Sequence, residues 1–217
     1  HRTFGDLRAA GKPVVVVGAG SGGAMLVREL ERSPDWRVVA LVDDDPAKWL
    51  AATHEKYASS HVRVDRRVKF FADGAFFAQN MRMGPPRYTD GHHGKWLTEP
   101  SDLDAQFRRF WAAGFCFHIH VNGDEGLGLV LDSLAALPPR PSQTVTLEHL
   151  GYSTEAQNRR IARMGLMVSA QPNYIRVLGD AYATHGLGAD RAALMNRLGS
   201  LEAKGVPGIV QRTLIRP

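Results

Sequence analysis

Two histidines one residue apart interrupt an otherwise apolar run, Phe115-Cys116-Phe117-His118-Ile119-His120-Val121, which leads into Asn122-Gly123-Asp124. Successive side chains of a strand point to opposite faces. Phe115, Phe117, Ile119 and Val121 then share one face, and Cys116, His118, His120 and Asn122 share the other. Polar residues close three further apolar runs: Lys69 and Asp73, His149, and Gln171. Two imidazoles on neighbouring strands with a carboxylate nearby suit a divalent metal such as zinc. A single one of these histidines could equally be a core residue satisfied by backbone groups. A series of them at strand ends points to chemistry. His118 and His120 lie ~6.6 Å apart along the strand, so one ion reaches both only if the rings lean inward.

The elements that must position these residues alternate along the chain. A strand is expected over Val62 to Phe71, with Lys69, Phe71 and Asp73 on one face. Asn80 to Pro100, rich in Gly, Pro and His, is expected to be a long loop, either a functional lid or disordered. Ser101 starts a helix with an apolar stripe of Leu103, Phe107, Phe110 and Trp111, and Gly114 ends it. The histidine strand follows, then a helix through Leu127, Val130, Leu131 and Leu134. Thr144 to Leu150 and Leu166 to Ala170 read as strands around a helix that starts at Ser153 and ends at Gly165. A last helix is expected from about Asp190 to Lys204, and a last strand from Val206 to Val210. This βα rhythm implies a parallel sheet or barrel, whose strand ends converge on one site.

The front of the chain has its own pattern. Val14 to Val17 reads as a buried strand, Gly18-x-Gly20-x-x-Gly23 as a turn, Met25 to Leu30 as a helix, and Val38 to Val42 as a second strand. Glycines there let the backbone approach a pyrophosphate at a helix N-terminus, and Asp43 stands where an acid binds a ribose hydroxyl. NAD or a nucleotide sugar is the expected ligand, a tight turn without ligand the alternative. Val14 to Gly23, Leu26 to Leu30 and Arg37 to Pro46 resemble the Rossmann module of the nucleotide-sugar 4,6-dehydratases of polysaccharide biosynthesis. The Tyr-x-x-x-Lys pair of those enzymes does not follow, so their chemistry is not implied.

From about Arg67 to Pro207 the chain resembles the amidohydrolase superfamily, in its family 3 branch. The motifs are Val68-Lys69-Phe70-Phe71-Ala72-Asp73-Gly74, His118 to Asp124, Leu147-Glu148-His149, Ser169-Ala170-Gln171-Pro172 and Leu187 to Arg191, continued by Leu198 to Leu201 and Gly205-Val206-Pro207. The resemblance implies metal ligands at His120 and His149, with Lys69 at a strand-four position that bridges or approaches metal. It also implies a metal-bound water as nucleophile on an amide-type carbon. The strand-one His-x-His pair and strand-eight aspartate of that family have no counterpart here. His118 is then expected as an auxiliary ligand, Asp73 and Asp124 beside Lys69 as catalytic groups, and Gln171 as a substrate contact.

The fold class expected is α/β: a partial (β/α) barrel, strands four to seven of a TIM-type barrel, preceded by a Rossmann-like βαβ unit. Residues 1–50 and 51–217 would be the two domains, joined near Lys48 to Tyr57. The function expected is hydrolysis of a C–N bond in a small amide-type molecule. The alternatives are a nucleotide-binding module, or a fused fragment without activity of its own.

Composition bounds the rest. The 217 residues are 44% apolar and 23% charged, ordinary for a soluble globular protein. The net charge of +5 comes from scattered arginines. The densest basic cluster, Arg63, Arg66, Arg67 and Lys69, is too short to argue for nucleic acid. The single Cys116 precludes an internal disulfide and suits a reducing, cytoplasmic setting. No apolar run approaches the ~20 residues of a membrane span. Starting at His1 without a methionine, the chain reads as a fragment or a trimmed chain. Exposed sheet edges in such a fragment would favour a homo-oligomer.

Overall fold

A computed structural model of the chain describes residues 12–17, 32, 36–42 and 66–210. The chain divides into two compact units, His1–Arg66 and Arg67–Pro217. In the first, β1 (Lys12–Val17) and β2 (Trp36–Val42) are parallel neighbours. Parallel neighbours need a crossover connection between them. Gly18, Gly20, Gly23 and Asp43, expected to hold a nucleotide, lie outside the described residues.

The second unit is built on a five-stranded sheet of β3 (Arg67–Phe71), β4 (Cys116–Val121), β5 (Val145–His149), β6 (Met167–Ala170) and β7 (Gly208–Val210). All neighbours are parallel, and the spatial order β3-β4-β5-β6-β7 follows the chain. A doubly wound sheet reverses its order at a switch point, whereas a (β/α) barrel does not. The sheet is consistent with a partial TIM-type barrel.

One face of the sheet buries against helices. Phe117, Ile119 and Val121 of β4 have no solvent exposure, while Cys116, His118 and His120 are half-buried. Helix α1 (Pro100–Ala112) sets Leu103, Phe107 and Trp111 on that face. Phe70, Phe107, Phe117 and Trp111 meet with ring centroids 4.9–5.2 Å apart, mostly edge to face. Proline at the first helical position starts α1, with no side-chain cap from Ser101. Helix α2 (Asp124–Ala135) buries Leu127, Val130, Leu131 and Leu134. Helix α3 (Glu155–Arg163) begins with a capping box, Thr154 and Gln157 each bonding the other's backbone N–H.

Three segments differ from expectation. The loop after β3 is not disordered: it packs Met81, Met83 and Tyr88 into a second core with Phe76, Tyr152, Tyr182 and Met195. Helix α4 (Asn173–Ala181), extended by a single π-turn at Tyr182–Gly186, was not anticipated. The single helix expected from Asp190 to Lys204 is two, α5 (Ala189–Ala192) and α6 (Leu198–Glu202). Asn196 breaks it with a φ of 46°, and Met195 makes a bridge to Tyr152. Among the described residues no helix is long and apolar enough to cross a membrane.

Candidate metal centre

The other face of the sheet collects the polar side chains. Strand register sets Lys69 beside His118 and His120 beside Glu148. Lys69 pairs with Glu148 Oε2, and His118 Nδ1 donates to Glu148 Oε1 at 2.7 Å. Arg67 Nη1 lies 3.5 Å from His118 Nε2. Burial, and then the charges of Arg67 and Lys69, hold His118 below its ordinary value. It is a neutral ring with its proton on Nδ1. Expected as an auxiliary ligand, His118 stands in an ion-pair network with Glu148, Lys69 and Arg67. Burial lowers the Lys69 amine to about 8.

His120 and His149 come together, with ring centroids 4.7 Å apart and planes at 68°. Strict alternation would turn His149 away from Glu148 and toward the helices. Instead His149 and Leu150 take φ values of 73° and 48°, the left-handed region. That turn brings the ring to His120. His149 Nδ1 lies 2.7 Å from Gln171 Oε1. An amide oxygen only accepts, so the proton sits on Nδ1 and Nε2 keeps its lone pair. Gln171, expected at the substrate, thus orients His149. Burial, joined by the charges of His149 and Lys69, lowers His120 to about 4. Burial lowers His149 as well. Both rings are neutral near pH 7, the form a metal takes.

Among the described residues, no three His, Cys, Asp or Glu side chains form a group that could hold a metal ion. A catalytic zinc takes three protein ligands. The pair therefore fits part of a metal shell, not a complete one.

The two aspartates expected as catalytic groups both hold backbone amides. Asp73 is fully buried and accepts the backbone N–H groups of Arg82, Asn122 and Gly123, each at 2.8 Å. Burial pushes its carboxyl up to about 7, against the pull of those amides. Asp124 opens α2, where its Oδ1 accepts from the N–H groups of Gly84 and Glu125 at 2.9 and 3.0 Å. It lines a cleft of about 420 Å³ with Arg82, Arg87, His93, Glu125 and Gln157.

Two residues of the site were not assigned from sequence. Glu148 ties Lys69 to His118, and Asn122 Nδ2 lies 3.1 Å from His120 Nε2. Period 2 was a signal for both, since it continues the His118–His120 face to Asn122 and places Glu148 on the matching face of β5.

The Amidohydrolase family pattern matches residues 24–210, a span that includes the join expected near Lys48 to Tyr57. An uncharacterized metal-dependent hydrolase from Pyrococcus furiosus is similar in structure, with a TM-score of 0.62 at 21% identity over 94% of this chain and 42% of that one. Another, from Pyrococcus horikoshii OT3, gives 0.61 at 19% over 94% and 41%. At these identities the likeness is one of fold, and the chain spans about two fifths of either structure's length. No curated protein matches. A match along most of its length, with a parallel sheet wound in chain order, makes this chain a member of the Amidohydrolase family.

Proposed function

We propose that the second unit carries part of the metal centre of a hydrolase acting on a C–N, amide-type bond of a small molecule. One observation carries the reading: His120 and His149, two neutral imidazoles 4.7 Å apart, stand at the carboxyl ends of adjacent parallel strands. Family membership supports it, as do two structural neighbours named as metal-dependent hydrolases. Zinc is the metal that suits imidazole donors, and when bound it lowers the pKa of a coordinated water toward ~7. His120 and His149 would hold it, and a complete shell needs at least one further donor. Lys69 stands beside the pair with a lowered amine, Glu148 holds that amine, and Gln171 orients His149. The free Cys116 suits a reducing, cytoplasmic setting.

Calorimetric titration with Zn²⁺ tests the reading. One binding event is expected, weakened at least about tenfold by His120→Ala or by His149→Ala and left intact by His118→Ala. No binding, or binding indifferent to both of the first two changes, would sink it.

A further inference from the structure

Asn122 follows His120 on the same face of the chain, just past the end of β4, and is almost wholly buried. Its main chain is committed at both ends: the N–H donates to Asp73 Oδ1 at 2.8 Å, and the C=O accepts from the Tyr152 N–H at 2.6 Å. The side-chain nitrogen has two protons and faces two acceptor positions, the Gly74 C=O at 3.2 Å and His120 Nε2 at 3.1 Å. The side-chain oxygen is buried and has no hydrogen-bond partner among the described residues.

The carbonyl of Gly74 settles which end of the amide is which. A carbonyl only accepts, and turning the amide over would set Oδ1 against it. With Nδ2 fixed in place as a donor, the imidazole nitrogen facing it must be the one that carries the lone pair.

We propose that Asn122 is a positioning residue that selects the tautomer of His120, leaving the proton on Nδ1 and the lone pair on Nε2. Its functional meaning rests on the reading of His120 as a metal ligand, but its chemistry rests on the hydrogen bonds alone. The two histidines are then unequal. Gln171 leaves His149 Nε2 open, whereas Asn122 shares His120 Nε2 with an amide N–H. Any ligand that takes that nitrogen must displace the amide.

The test is long-range ¹H–¹⁵N correlation spectroscopy on the ¹⁵N-labelled chain at neutral pH. The expected spectrum shows His120 with a protonated Nδ1 and an unprotonated Nε2. Asn122→Leu removes the donor, and the two tautomers are then expected to mix. If that variant does not fold, Asn122→Ser, whose hydroxyl is too short to reach the ring, replaces it. A wild-type His120 protonated on Nε2, or a tautomer unchanged in the folded variant, overturns the proposal. Co²⁺ titration of the same samples reads the functional side. A change in affinity of about tenfold or more in the variant supports the positioning role, and an affinity within about twofold of wild type overturns it. A wild-type chain that binds no Co²⁺ removes the metal reading, while the spectrum still decides the tautomer.

Discussion

At His120, burial and neighbouring charge outweigh the Gly74 and Asp73 backbone groups, which favour a second proton. Burial comes first, then the charges of His149 and Lys69, and together they bring its value from 6.5 to about 4. The consequence for stability has a definite sign. Between those two values the folded chain binds fewer protons than the unfolded one, so acid favours unfolding. The contribution is fully present above pH 6.5 and is lost as the pH falls toward 4. Asp73, raised to about 7, acts in the opposite sense over the same range, so the expected signature is a difference: from pH 7 to pH 4 the wild-type urea midpoint falls relative to that of His120→Asn. A difference that stays constant over that range would count against His120 as its origin. That His120 would lie on the polar face of β4 was legible from its strand position. That His118 would be spent on Glu148 was not, because alternation assigns a face and is silent on which neighbour across the strands takes each nitrogen.

The loop between β3 and α1 is organised by a single carboxylate. Asp73 gathers amides from two separate segments, Arg82 in its own loop and Asn122 and Gly123 after β4. Close approach at the same place leaves no room for a side chain at Gly123, where a Cβ would meet the Arg82 carbonyl oxygen at 2.0 Å. Asp73→Ala would strand three buried N–H groups, at a cost of about 1 kcal/mol or more each, so a loss of about 3 kcal/mol or more is expected. The measurement is a urea unfolding curve, with the midpoint lowered and the slope unchanged. A loss below about 1 kcal/mol would mean that the loop is held by its apolar anchors instead. Those anchors, Met81, Met83 and Tyr88, were in the sequence beside the Gly, Pro and His that mark the segment as a loop. Composition hid them because three apolar residues at irregular spacing match no helical or strand period. Helix α4 escaped for the opposite reason: it buries no residue fully and leaves Ile175 and Val177 exposed, so no core-facing stripe announces it.

At the scale of the whole second unit, the sheet was legible because hydrophobic runs and helical stripes alternate from Arg67 onward. Its strand order follows from that alternation, since short crossovers set sequential strands side by side. The helix-facing half of β4 matched simple period-2 counting, residue for residue, in Phe117, Ile119 and Val121. What counting could not place was His149, whose side depends on two torsion angles rather than on a repeat. Those angles carry a cost for the entire chain. A left-handed residue other than glycine is held against its own preference at about 1–3 kcal/mol, and here two stand in succession. Asparagine accepts that backbone more readily than most side chains, yet it cannot donate an imidazole nitrogen. Thermal tolerance and chemistry therefore pull this position in opposite directions. His149→Asn is expected to melt no lower than the wild type, and to lose the pair.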